Sequence, residues 1–173
     1  MSEWLPDDYE IPQSTPKYFK LEQGNNEFRI MSRPILGYEW WEDNSPNRVK
    51  EKSDVPKSEW TNERKPKHFW AMVIYNPKLD CFQIFQITQK SIQESISALA
   101  KDPDWGSPND YNITISRDGE GLETKYSVRS KPKKALDKDV LKRHKETSIN
   151  LDALYAGDDP FGSEEIQEED IPF

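Results

Sequence analysis

Nine residues near the middle of the chain, His68 to Asn76 (HFWAMVIYN), restrict its fold more than any other stretch. A nearly continuous apolar run of this length suits a central strand buried on both faces. Asn76-Pro77-Lys78 is a turn, and Leu79 to Thr88 (LDCFQIFQIT) follows as the hairpin partner. In that partner Phe82 and Ile84 fall on one face, and Cys81, Phe85 and Ile87 on the other. A hairpin apolar on both sides demands a cover for each: more of the same chain, or a flat ligand that stacks on it.

The flanking segments supply the remaining strands. After the turn signal Gly24-Asn25-Asn26, Phe28 and Ile30 alternate with Arg29 and Arg33, which places the apolar pair inward and the arginines outward. Leu36 to Trp41 alternates again beyond Pro34, so a long first strand continues past a kink. Glu42 to Lys67 is a polar loop of 26 residues with three prolines, and a loop that long inside a compact domain is functional or disordered. Thr88 is placed to N-cap a helix over QKSIQESISALAK, with Ile92, Ile96 and Leu99 at i, i+4 and i+7. Asp102-Pro103 ends it, and Trp105 folds back onto it. Tyr111 to Ser116 alternates as a strand, and Asp118-Gly119-Glu120-Gly121 turns the chain. Leu122, Thr124, Tyr126 and Val128 then mark the inward face of a last strand. The order strand, strand, strand, helix, strand, strand is that of the OB-fold, a five-stranded Greek-key barrel with its helix between the third and fourth strands. The expected fold is therefore mainly β. An extended arm covers 1–16, the barrel 17–130, a basic connector 131–156 (either a short helix with Leu136, Val140 and His144 on one face or a linker that holds the tail back by charge), and an acidic tail 157–173.

Charge is segregated along this plan. The net charge is −8, yet residues 152–173 hold eight acids and no base, and residues 1–10 hold four acids and no base. The stretch between is mildly cationic. A tail this acidic cannot bury enough apolar surface to offset the entropy of folding. Its last residues, Ile171-Pro172-Phe173, are nevertheless apolar, as suits capture by a partner with a basic rim and an apolar pocket.

Catalytic constellations are missing from the pattern. One cysteine, Cys81, cannot form an internal disulfide, and His68 and His144 are too few for a metal cluster. Neither phosphate-binding glycine motifs nor HExxH occur. An enzyme, a cofactor and a metal are not expected. No apolar run approaches a membrane span, and the N-terminus lacks the features of a signal peptide, so a cytoplasmic location is expected. Aromatic content is 12%, with six tryptophans. Cations beside aromatic rings are what an unpaired nucleic-acid strand requires, the cations for its phosphates and the rings for its bases. The candidates are Arg29 and Arg33 beside Trp40 and Trp41; the loop residues Arg48, Lys50, Lys52, Trp60, Arg64, Lys65 and Lys67; Trp70 and Phe85 as further platforms; and Arg117, Lys125 and Arg129 on the final hairpin. Trp40 and Trp41 are adjacent and point to opposite faces of a strand, so one of them faces outward.

Asp170-Ile171-Pro172-Phe173, preceded by Glu168-Glu169, resembles the C-terminal tip of bacterial single-stranded-DNA-binding proteins. Residues 17–130 resemble, more loosely, phage-encoded single-stranded-DNA-binding proteins. The resemblance implies non-specific coating of single-stranded DNA in replication, recombination and repair, within the host cytoplasm if the chain is phage-encoded. It also implies that Asp170, Ile171, Pro172 and Phe173 dock onto replication and repair proteins, and that the tail competes with DNA. The long 42–67 loop departs from the bacterial tetramer-forming core, so a monomer or dimer is expected rather than a tetramer. Two rival readings remain: an adaptor OB domain that binds only proteins, and a cold-shock-like RNA-binding domain.

Overall fold

The computed structural model describes residues 4–10, 16–42, 44–60 and 65–162. It is mainly β. Seven strands run β1 Gly24–Ile30, β2 Ile35–Glu42, β3 Ser45–Val49, β4 Lys67–Asn76, β5 Cys81–Ile87, β6 Asn112–Asp118 and β7 Lys125–Ser130. The described residues also form three α-helices, α1 Lys90–Lys101, α2 Lys138–Glu146 and α3 Ala153–Ala156, and four 3-10 turns. All ladders are antiparallel, in the order β3-β2-β4-β1-β6-β7, with β5 on the other edge of β4.

The expected long, kinked first strand is present as β1 and β2, which share one edge of β4. Ile30 stands opposite Ile74 and Ile35 opposite Ala71, so five steps on one strand match three on the other. The two extra residues bulge out at Pro34, which has no N–H to give the ladder. Ser32 repairs the gap: its hydroxyl accepts from the Val73 N–H at 2.9 Å. The 42–67 segment is more ordered than its composition suggests. It returns from β2 through a tight turn, where Asn44 takes φ 64°, and adds β3 before two single 3-10 turns, Lys52–Asp54 and Lys57–Glu59. Asparagine tolerates that left-handed conformation better than most side chains.

Alternation along each strand makes two clusters. The inner one joins Phe28, Ile30, Met72, Ile74, Phe85, Ile87, Ile113 and Ile115 to Ile92 and Ile96 of α1. Each such side chain contributes roughly 1.5–3 kcal/mol when fully buried. The outer one joins Phe69, Ala71 and Ile84 to Leu154 of α3, with Ile35, Ile149, Leu151, Tyr155 and Phe161 packed around it. The apolar second face of the central hairpin is thus covered by the chain's own 149–161 segment. The outer edge of β5 is also covered: the Phe19 N–H donates to Ile84 O and the Ile84 N–H to Lys17 O. No ladder joins β5 to β7 among the described residues, and α1 packs against β7 beside that opening.

Three expectations need correction. Arg29 is buried, because its guanidinium is held inside by Asn112 Oδ1, Asn109 O and Lys134 O. The residue preceding α1 is Gln89, not Thr88, and it makes no side-chain cap. Leu122 is fully exposed in a 3-10 turn over Gly121–Glu123, so β7 begins only at Lys125. Trp105 packs against the cluster that holds Ile92 and Ile96 of α1, and also lies edge-on to Tyr111, with ring centroids 5.8 Å apart. Trp4, Leu5 and Tyr9 of the arm are exposed, and Ile11 lies outside the described residues.

Candidate nucleic-acid interface

Past the bulge, β2, β3 and the first half of β4 project beyond the inner core as a three-stranded extension. Register assigns its two faces. Glu39 is opposite both Arg48 and Lys67, so these three share the outer face with Trp41 two residues on. Tyr38 is opposite His68, and Leu36 opposite Trp70, so these form the inner face together with Trp40.

Adjacent tryptophans therefore meet different fates. Trp41 is 55% exposed, whereas Trp40 is 9% exposed with its indole Nε1 lacking a partner. Trp41 is the ring turned to solvent. Beside it, Arg48 Nε lies 3.0 Å from Glu39 Oε2, in a pair only 12% and 8% exposed. Gln86 bonds both members, accepting from Arg48 Nη2 and donating to the same carboxylate oxygen. A cation so committed orders the face more than it offers charge. Freer cations belong to the same segment: Lys65 and Lys67 are exposed, Lys67 opposite Glu39, and Lys52 Nζ lies 5.0 Å from the half-exposed Trp60 ring.

Toward β5 the outer face is closed. Tyr155 lies with its ring centroid 6.2 Å from that of Phe69 and donates its hydroxyl to Leu36 O, with Lys50 Nζ 5.3 Å from its own centroid. Burial raises the Tyr155 phenol above its ordinary value, and Asp152 adds to this. Farther along, Asp159 reaches Lys17 at 3.6 Å, and Phe161 meets Tyr18 edge-on with centroids 6.0 Å apart. Gly157, at φ 75°, supplies the left-handed residue that ends α3 and lets the segment turn back. The Asn150 N–H donates to Pro160 O at 2.7 Å and closes the loop.

The structure divides the expected site residues into three sets. Trp41, Lys50, Lys52, Trp60, Lys65 and Lys67 gather about the extension, with Arg33 exposed on the bulge and Trp70 half-buried at the inner edge. Arg29, Trp40 and Phe85 are interior and are removed from any contact surface; Phe85 is 2% exposed and packs edge-on against Phe28. Arg117, Lys125 and Arg129 are not brought to the same end: Gly24, at the start of β1, stands opposite Arg117, whereas Trp41 is near the end of β2. Arg117 donates to Leu21 O, and Arg129 to Asn25 Oδ1 and Ser116 Oγ. Arg64 and the tip residues Asp170, Ile171, Pro172 and Phe173 lie outside the described residues.

Residues absent from the expected set also appear here. Tyr38 and His68 meet at a tilt on the inner face of the extension, with centroids 5.2 Å apart, and Lys90 and Lys101 stand at the two ends of α1 beside Trp70. Tyr38 was within reach of sequence reasoning, since it lies two residues before Trp40 on the same strand face. Lys90 and Lys101 were not, because only the packing of α1 shows which of its faces meets the sheet. Among the described residues no group of three His, Cys, Asp or Glu is placed to hold a metal ion. No described helix is long and apolar enough to cross a membrane. No protein-family model, curated protein or solved structure matches the chain.

Proposed function

We propose that this protein is an OB-type binder of single-stranded DNA that holds the strand non-specifically through stacked bases and phosphate contacts. The observation that carries this reading is the strand connectivity. Taking β1 and β2 as one kinked strand, the chain order is strand, β4, β5, α1, β6, β7. The spatial order β5-β4-(β1/β2)-β6-β7 is then third, second, first, fourth, fifth, as in the five-stranded, partly open OB barrel. In that fold the second and third strands and the two long loops contact oligonucleotides. Here the first of those loops carries Lys50, Lys52, Trp60 and Lys65 and runs into Lys67 of β4, on the same three-stranded extension that exposes Trp41, the composition expected of a backbone-tracking groove with a stacking platform. The acidic stretch ending in Asp170-Ile171-Pro172-Phe173 supports a further role: recruitment of replication and repair proteins through the tip, and competition with DNA for the cationic surface. The protein acts as a monomer or dimer and carries out no catalysis.

A titration of tryptophan fluorescence with oligo-dT at two salt concentrations tests this directly. Quenching that weakens as salt rises, with a slope near −0.7 per phosphate contact, is expected. No quenching at low salt would leave the protein-only adaptor. Tighter binding of the matched RNA oligomer would leave the cold-shock-like reading, since a site contacting the 2′-hydroxyl prefers RNA.

A further inference from the structure

The outer face of β4 and β5, where an OB barrel would take its strand, is occupied along β5 by residues 149–161. The opposite side of β4 is not. Between the inner face of the extension and α1 runs an open groove of about 470 Å³. Its sheet wall is aromatic: the half-buried Trp70, then exposed His68, with the Tyr38 ring tilted against that of His68. The ring of His68 is oriented by Nδ1, 2.9 Å from Gly37 O. Its helix wall is Lys90, Glu94, Ser97, Ala98 and Lys101, which lie at i, i+4, i+7, i+8 and i+11 and so share one stripe of α1. Gln93 fastens the two walls, donating from Nε2 to His68 O at 3.2 Å and to Ile87 O at 2.9 Å.

We infer that this groove is a second stacking subsite for the unpaired bases of the same strand, entered around the edge of the extension from Trp41. The inference rests on the single-stranded-DNA reading. Three features select bases over an apolar peptide. The small residues Ser97 and Ala98 stand where a bulky side chain would fill the slot, leaving room for a flat ring against Trp70 and His68. A lysine stands at each end, about 16 Å apart along the helix, as suits a polyanion running along the groove. The one carboxylate in the wall, Glu94, is drawn to Lys90 at 3.8 Å. Each base held this way is worth roughly 1–3 kcal/mol without sequence preference.

Two substitutions at exposed Ala98 test the groove without touching the core. Ala98→Leu fills the slot with a neutral side chain, and Ala98→Glu fills it with a charge; both residues are good helix formers. With unchanged melting temperatures, both variants are expected to bind oligo-dT about tenfold or more weakly than the wild type in an anisotropy titration. Glu94→Gln is expected to bind more tightly than the wild type. If both Ala98 variants bind as the wild type does while Trp41→Ala is weakened, the groove proposal fails and the DNA reading stands. A loss for Ala98→Glu without one for Ala98→Leu would also overturn it, because charge at a distance then explains the effect. If the wild type itself does not bind oligo-dT, the DNA reading fails first.

Discussion

The two faces of β4 form a natural experiment. Phe69 and Ala71 point to the outer side and Trp70 and Met72 to the inner side, on the same strand and within the same apolar run. Yet on the outer side the chain covers itself as far as the extension, and on the inner side the cover stops at Trp70. The outer cover is a segment of loops and one helical turn, Ala153–Ala156, with Leu154 inserted into the cluster and Pro160 also buried. The inner cover is a regular helix whose Ile92 and Ile96 seal the middle of the sheet, while its lysine-bearing stripe stands off from the edge. An apolar face can thus be closed by a poorly regular strap, and a face backed by a good helix can still leave rings available. What matters is where along the strand the covering side chains end.

The largest effect expected on this contrast is at the buried pair on the outer face of the extension. Glu39→Ala leaves Arg48 buried without its partner, and chemical denaturation should show a loss of about 3–5 kcal/mol. Leu154→Ala should follow at about 2–5 kcal/mol, since it empties the centre of the outer cluster. His68→Ala, on the exposed inner side, should stay within about 0.5 kcal/mol. Equal losses for Leu154→Ala and His68→Ala would erase the distinction between a closed and an open face. Trp41→Ala should leave the melting curve in place and weaken oligo-dT binding by about 1–3 kcal/mol, the worth of one stacked base. Smaller still, Lys52→Gln and Lys67→Gln should each reduce the magnitude of the salt slope by about 0.7, read from affinities at several salt concentrations.

The connection that leads into the strap is held by an ion pair open to acid. Asp80 accepts from the Tyr75 hydroxyl and from Arg143 of α2. These bonds, Tyr75 first and then Arg143, hold its carboxyl below the ordinary value of 3.8. A carboxyl with a depressed folded value stabilises the fold above its unfolded value and loses that contribution as pH falls through the folded one. Acid should therefore loosen α2, and the protection of amides 138–146, after division by the intrinsic exchange rate at each pH, should fall below about pH 4. Asp80→Asn should show the lower protection already at neutral pH and lose the acid dependence.

Much of the architecture follows from short-range pattern. Alternation in Phe28 and Ile30, in Phe82 to Ile87 and in Ile113 and Ile115 sorted side chains onto faces that the packing bears out, with Phe85 and Ile87 inside and Ile84 outside, because side chains on a strand alternate whatever the strand pairs with. The same rule required one of Trp40 and Trp41 to face outward. Pattern failed where the deciding group was remote. Arg29 looked like an outward cation, but carbonyls of Asn109 and Lys134 capture it, and nothing beside Arg29 in the chain announces them. Ser45–Val49 looked like loop because a short, polar edge strand carries no apolar alternation; β3 exists because β2 offers it a ladder.

By itself, then, the sequence determined which residues alternate, where the chain turns, that one helix interrupts the strands, and that acid is gathered at the C-terminal end. Each of these depends on neighbours a few positions away. Tertiary structure alone decided that Trp41 rather than Trp40 faces solvent, that 149–161 closes the outer face of the hairpin, and that α1 leaves a groove at Trp70. Those outcomes are set by contacts between segments tens of residues apart, such as Tyr155 with Phe69 and Gln93 with His68. Burial is a competition among all the surfaces the chain presents, and no local pattern records which of them wins.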